Sequence, residues 1–154
     1  ERLIHAKTYF SSISGMPSEE ELEKYVARNL HLIETCMKLL GTQYEVEGGR
    51  VDILAEDKYG NICVIELKVT NNDPVLIWQS MYYPIAVQKE FKNRKIRMIT
   101  LTPKLAEHIY IPLKQIKGIE MFIYKARMSR KTIESLDIIK KSINSVANQG
   151  VMAY

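Results

Sequence analysis

Long apolar runs are missing from this 154-residue chain. None approaches the ~18 residues of a membrane helix, and no signal-peptide pattern opens the chain. These absences predict a protein that is not embedded in a membrane and works in the cytoplasm. Cysteine is also scarce. Cys36 and Cys63 fall inside apolar segments without C-x-x-C spacing, so free buried thiols in a reducing compartment are expected, and nothing argues for a disulfide. His5, His31 and His108 are scattered and form no zinc pattern. Any metal here would need oxygen ligands. There are no internal repeats and no low-complexity tract.

What is present is an ordinary globular composition, 46% hydrophobic and 26% charged, with enough length for one domain and its core. The charge is unevenly divided. Residues 1–87 carry 8 Lys and Arg against 13 Asp and Glu, or −5; residues 88–154 carry 14 against 5, or +9. Such a division predicts an anionic partner for the C-terminal half, with the cations of Lys92–Arg97 (Lys92, Arg94, Lys95, Arg97) and Arg127–Lys131 as candidates. A merely solvated basic surface is the alternative.

Residues 1–17 lack periodicity and read as an arm or linker. Ser18 and Glu21 form a capping box that starts a helix, which Leu22, Tyr25, Val26, Leu30 and Ile33 continue at helical spacing. Gly41 stops it or a short successor. Strands follow at 43–47, 50–56 and 61–69, with "DKYGN" as the turn between the last two. Asp73 and Pro74 start a helix from Val75 to about Tyr83, where Pro84 ends or kinks it. A strand (96–102), a helix (103–116) and a strand (119–126) come next. Leu136, Ile139, Ile143 and Val146, spaced 3, 4 and 3, predict a final helix over 129–147. Its stripe would dock on the domain or on a second copy of the chain, as a homodimer. This order predicts an α/β fold with a mixed sheet between helices.

The stretch "GGRVDILAEDKYGNICVIELK" carries the chemistry. If the turn is Asp57–Asn61, Glu56 pairs with Ile62 and Asp52 stands opposite Glu66. Lys68 lies on the same face. Like charges facing each other across strands are destabilising, so two half-buried carboxylates call for compensation. Lys68 supplies one charge and a divalent cation would supply the rest. Oxygen-only ligation with open positions suits Mg²⁺ or Mn²⁺.

These residues, in order with "SEEELEKYVARNLHLIE" before them and "QSMYY" after, resemble the PD-(D/E)XK nuclease superfamily, and within it the catalytic domain of NucS-type, EndoMS-like endonucleases. The likeness runs from residue 18 to 126 and extends through "IRMITLT" and "GIEMFIYKA". It implies a restriction-endonuclease-like core in residues 18–126, with 127–154 as an added helix and tail. It also implies a Mg²⁺-dependent DNA endonuclease. Asp52, Glu66 and the Leu67 carbonyl would hold the metal, and Lys68 would position the attacking water and stabilise developing charge. Glu23 matches the helix glutamate near the metal, Gln79 the supporting glutamine, and Tyr83 lies one helical turn on.

Each residue also has a plainer reading. Glu19 rivals Glu23, since both border the apolar stripe and acidic residues favour a helix N-terminus. Lys68 alone could be an edge-strand lysine. Arg50 could contact phosphate or simply terminate its strand, and Gln79 and Tyr83 could be packing residues. Tyr82 stands where the family carries a basic residue before the tyrosine, and Val69 stands where a basic residue follows the lysine. These departures bear on substrate contacts rather than on the metal site.

Overall fold

The computed structural model describes residues 15–143. Helix α1 covers Glu19–Arg28, and the Ser18 hydroxyl accepts from the Glu21 N–H at 3.0 Å, as the capping box predicts. It ends earlier than its apolar spacing suggests. Asn29 leaves helical geometry and its side-chain amide donates back to the Tyr25 carbonyl. Leu30–Leu32 then form one 3₁₀ turn. Gly41 terminates no helix, because strand β1 already runs over Lys38–Val46.

Strands β2 (Gly49–Glu56), β3 (Ile62–Leu67), β4 (Ile96–Thr102), β5 (Glu120–Ser129) and β6 (Thr132–Lys141) complete a six-stranded sheet in sequence order. The β3–β4 and β4–β5 pairs are parallel and the others antiparallel. The mixed sheet of the expected α/β class is therefore present. Helix α2 (Val75–Glu90) connects β3 to β4, and α3 (Glu107–Lys114) connects β4 to β5. None of the described helices is long and apolar enough to cross a membrane.

Two cores sandwich the sheet. Leu22, Val26 and Leu30 pack on Ile53, Ile65, Leu67 and Leu101 on one face. Leu76, Tyr83, Val87, Ile109 and Leu113 pack on Leu54, Val64, Met98 and Met121 on the other. Every residue of β3 is buried, as expected of a strand covered on both faces. Cys63 is one of them and its thiol is free; Cys36, also free, is exposed rather than buried.

Two expectations fail in instructive ways. Helix α2 runs through Pro84 to Glu90. Proline withdraws one N–H from the ladder, yet Leu76, Ser80, Tyr83 and Val87 keep one face of the helix buried on both sides of it. The predicted C-terminal helix is replaced by β6. Ser135 pairs with Arg127 and Ile133 with Met128, so Glu134 is an extra residue in the ladder. The bulge turns both Ile133 and Leu136 inward; of the predicted stripe Leu136 is buried, whereas Ile139 faces solvent. Val146 and the rest of the tail lie outside the described residues.

Candidate active site

The β2–β3 ladder has the register that the turn length implies, with Glu56 facing Ile62 and Ile53 facing Ile65. One step further, side chains take over from the backbone. The Asp52 N–H donates to Glu66 Oε2 at 2.8 Å, and the Leu67 N–H donates to Asp52 Oδ2 at 2.9 Å. Each carboxylate is thus fixed by the main chain of the other strand.

That fixing leaves charge unresolved. Glu66 is fully buried and its Oε1 has no hydrogen-bond partner. Burial first, and the Asp52 charge second, push its carboxyl up to about 9. Burial also raises Asp52, against the pull of the Leu67 N–H and the Lys68 charge. Lys68 is itself buried. Its N–H donates to the Leu101 carbonyl at 3.0 Å, and its carbonyl accepts from the Tyr124 hydroxyl at 3.2 Å. Its Nζ lies 3.7 Å from Asp73 Oδ2 and 3.9 Å from Glu19 Oε1. The edge-strand reading of Lys68 does not fit this interior position.

Around these groups opens a cleft of about 400 Å³, lined by Glu19, Glu20, Glu23, Gln43, Asp52, Leu67, Lys68 and Gln79. Both helix glutamates reach it by different routes. Glu19 pairs with Lys68, while Glu23 is tied to Asp52 through Gln43, whose amide donates to Glu23 Oε1 and, at 3.4 Å, to Asp52 Oδ1. Burial raises the Glu23 carboxyl and the Gln43 hydrogen bond opposes it. The amide oxygen of Gln79 is buried in the cleft wall without a partner.

Sequence reasoning missed Gln43. It lies between Thr42 and Tyr44, which pair in unbroken register with Ile53 and Val51, so it stands opposite Asp52. Its φ of 49° is nevertheless left-handed, a costly conformation for a residue with a side chain. Nothing in the local sequence announces it. Asp73 was legible only as a helix-start signal; its second oxygen faces Lys68.

The expected nucleic-acid contacts separate into two groups. Arg50, Lys92 and Lys95 are exposed. Tyr83 is 4% exposed and packs in the core beneath Gly49, so it offers no surface to a ligand. Arg94 is bound by Glu56 and the Gly60 carbonyl. Arg97 is enclosed by Glu34 (2.9 Å), Asp57 (2.8 Å) and Glu120 (2.8 Å). Hydrogen bonds from Asn61 and Arg97 outweigh burial at Asp57 and hold its carboxyl at about 2. Position agrees with pairing. Ile96 is level with Ile62, while Glu66 is level with Thr100, so Lys92–Arg97 lies toward the end of the sheet away from the cleft. The reading of Arg97 and Tyr83 as nucleic-acid contacts is corrected, since both are enclosed, whereas Arg94 stays partly exposed beside Glu56.

The donor set fits a hard divalent cation with an open coordination sphere. Two carboxylates converge, one with an orphaned buried oxygen, and no soft ligand is near. Among the described residues no three Asp, Glu, His or Cys side chains close around a common point. Protein ligation would therefore rest on Asp52, Glu66 and a main-chain oxygen such as that of Leu67.

The family model described as the endonuclease NucS C-terminal domain matches residues 18–143. Endonuclease NucS of Pyrococcus horikoshii is 34% identical over 90 residues, covering 58% of this chain and 35% of that protein. That of Methanocaldococcus jannaschii is 30% identical over 96 residues, covering 62% and 36%. The chain thus spans about a third of the length of the curated relatives it matches. Among solved structures, a repair endonuclease from Pyrococcus abyssi superposes with a TM-score of 0.60 at 30% identity, over 68% of this chain and 45% of that one. An EndoMS–dsDNA complex gives 0.60 at 27%, over 66% and 42%. The chain belongs to the endonuclease NucS C-terminal domain family, within the restriction-endonuclease-like PD-(D/E)XK superfamily.

Proposed function

We propose that this chain is the catalytic domain of a Mg²⁺- or Mn²⁺-dependent endonuclease that hydrolyses phosphodiester bonds in DNA. The observation that carries this reading is the Asp52–Glu66 pair, two facing carboxylates with an unpartnered buried oxygen, beside a buried lysine in an open cleft. Glu19, Glu20, Glu23 and Asp52 line that cleft against the single cation of Lys68 and make it acidic. A phosphate group would be repelled from it unless a cation intervened. Held by Asp52, Glu66 and the Leu67 carbonyl, the metal would act as a Lewis acid and lower the pKa of bound water.

The chain's own groups do the rest. Lys68 is buried, with its backbone tied to β4 and Tyr124 and its ammonium group held between Asp73 and Glu19, a placement suited to stabilising negative charge developing at phosphorus. Gln79 presents its amide to the cleft, where it can orient a water molecule or a phosphate oxygen. Glu23, held through Gln43, supplies an outer carboxylate. DNA as substrate is supported by the relatives, one described as a repair endonuclease and one solved with dsDNA.

A second reading, in which cleavage requires a further segment or partner to hold the DNA, is favoured by one observation. Arg94 and Arg97, one just before β4 and one within it, are occupied by carboxylates. Incubating the full chain with labelled linear, mismatched, flap, junction and single-stranded DNA in Mg²⁺, Mn²⁺ or EDTA tests both. Cation-dependent cleavage abolished by Asp52→Asn supports the first reading. Failure of the isolated chain either to bind or to cleave any of these substrates supports the second.

A further inference from the structure

The β4–β5 pairing ends at Thr102 and Ile123, but β5 continues six residues further, to Ser129, before β6 returns. At ~3.3 Å per residue this carries the β5–β6 hairpin roughly 20 Å past the β4 edge. Strands β3, β4 and β5 are parallel, so the projecting end is the one where Glu66 and Lys68 lie. The base of the hairpin touches the cleft directly, because the hydroxyl of Tyr124 donates to the Lys68 carbonyl at 3.2 Å.

The hairpin is basic on the appropriate side. Tyr124, Ala126 and Met128 pack toward α1, while Met121 belongs to the opposite core. Alternation therefore places Lys125 and Arg127 on the sheet face that carries Val64 and Glu66. Both are exposed, as are Arg130 and Lys131 at the tip. Glu134 and Asp137 sit on the returning strand, Asp137 level with Lys125. Among the described residues, none of the four cations is within ion-pair distance of a carboxylate. This contrasts with the enclosed Arg97.

The tip adds an independent sign. Ser129 pairs with Thr132, so Arg130 and Lys131 form a two-residue turn, and their φ values are 49° and 71°. A turn with both central residues left-handed favours Asn-Gly. Here the chain accepts strained backbone and places two long cationic side chains at the outermost point instead. Fold stability alone gives no reason for that choice.

We propose that the β5–β6 hairpin is an electrostatic arm that grips the phosphate backbone of duplex DNA beside the cleft, through Lys125, Arg127, Arg130 and Lys131. This rests on the nuclease reading and supplies what the acidic cleft lacks, an attraction for the substrate at the end of the sheet where Lys68 lies. Contacts of this kind position the duplex without reading its sequence.

The test uses the full chain, a 20-base-pair duplex and EDTA, so that no cation-dependent cleavage consumes the probe. Arg130→Asn/Lys131→Gly installs the preferred turn and removes two charges. It should melt no lower than wild type yet bind the duplex more weakly, with the slope of log K against log salt shallower by about 1.8, or ~0.9 for each phosphate that is no longer neutralised. Lys125→Gln/Arg127→Gln, which leaves the turn untouched, should shift the slope by a similar amount. Unchanged slopes in both variants overturn the proposal. Mg²⁺-dependent cleavage scored on the same proteins separates the two claims. Cleavage with unchanged slopes removes the arm and leaves the nuclease standing, whereas the expected slopes without cleavage do the reverse.

Discussion

Replacing Glu66 with glutamine should make the protein more stable in the absence of divalent cations, and only above the acid range. Cross-strand neighbours have Cβ atoms about 5 Å apart. Two unit charges at that separation in an effective dielectric of about 20 repel by roughly 3 kcal/mol. Glutamine removes the repulsion, keeps a carbonyl oxygen to accept from the Asp52 N–H, and offers Asp52 an amide donor. The sign with pH follows from the direction of the shift. The folded carboxyl sits near 9, above its ordinary value of 4.5. The neutral form's contribution is complete below 4.5 and is lost as pH rises toward 9. Urea unfolding in EDTA should therefore find wild type and Glu66→Gln nearly equal at pH 5, with the variant ahead at pH 9 by about 3 kcal/mol or more, because burial of the charge adds to its repulsion by Asp52. A gap that is the same at both pH values, or a variant less stable at pH 9, would refute the reasoning.

Three further substitutions separate roles that sequence alone runs together. Arg97→Met leaves Asp57, Glu34 and Glu120 without their shared cation and should cost about 3–5 kcal/mol in urea unfolding while leaving DNA affinity unchanged. Gly49→Ala drives a methyl group into the buried Tyr83 hydroxyl and should cost about 1–3 kcal/mol, a loss that Tyr83→Phe partly relieves in the same melt. Lys68→Ala should slow single-turnover cleavage by ~10²–10³ while Mn²⁺ binding, followed by the loss of its free-ion EPR signal, is retained.

The centre of the site was legible because two local rules determine it. Strand alternation assigns Asp52, Glu66 and Lys68 to one face, and the length of the Asp57–Asn61 turn sets their register. The parts that were not legible depend on distant partners. A count of charges finds Arg97 but not Glu34, sixty-three residues away, which engages it. The motif position of Tyr83 gives no hint that Gly49 leaves room for its ring to be buried. Gln43 belongs to no motif in the sequence, and its left-handed backbone sits between the paired Thr42 and Tyr44. The apolar spacing from Leu136 onward reads as helical, yet pairing with β5 makes this segment a strand and leaves Ile139 exposed.

The most direct test of the account is anomalous diffraction from crystals of the full chain soaked in Mn²⁺. The account predicts a single strong peak between the Asp52 and Glu66 carboxylates, within coordination distance of the Leu67 carbonyl and absent from Asp52→Asn crystals. A wild-type cleft without a peak, under conditions where the same protein cleaves DNA, would contradict it.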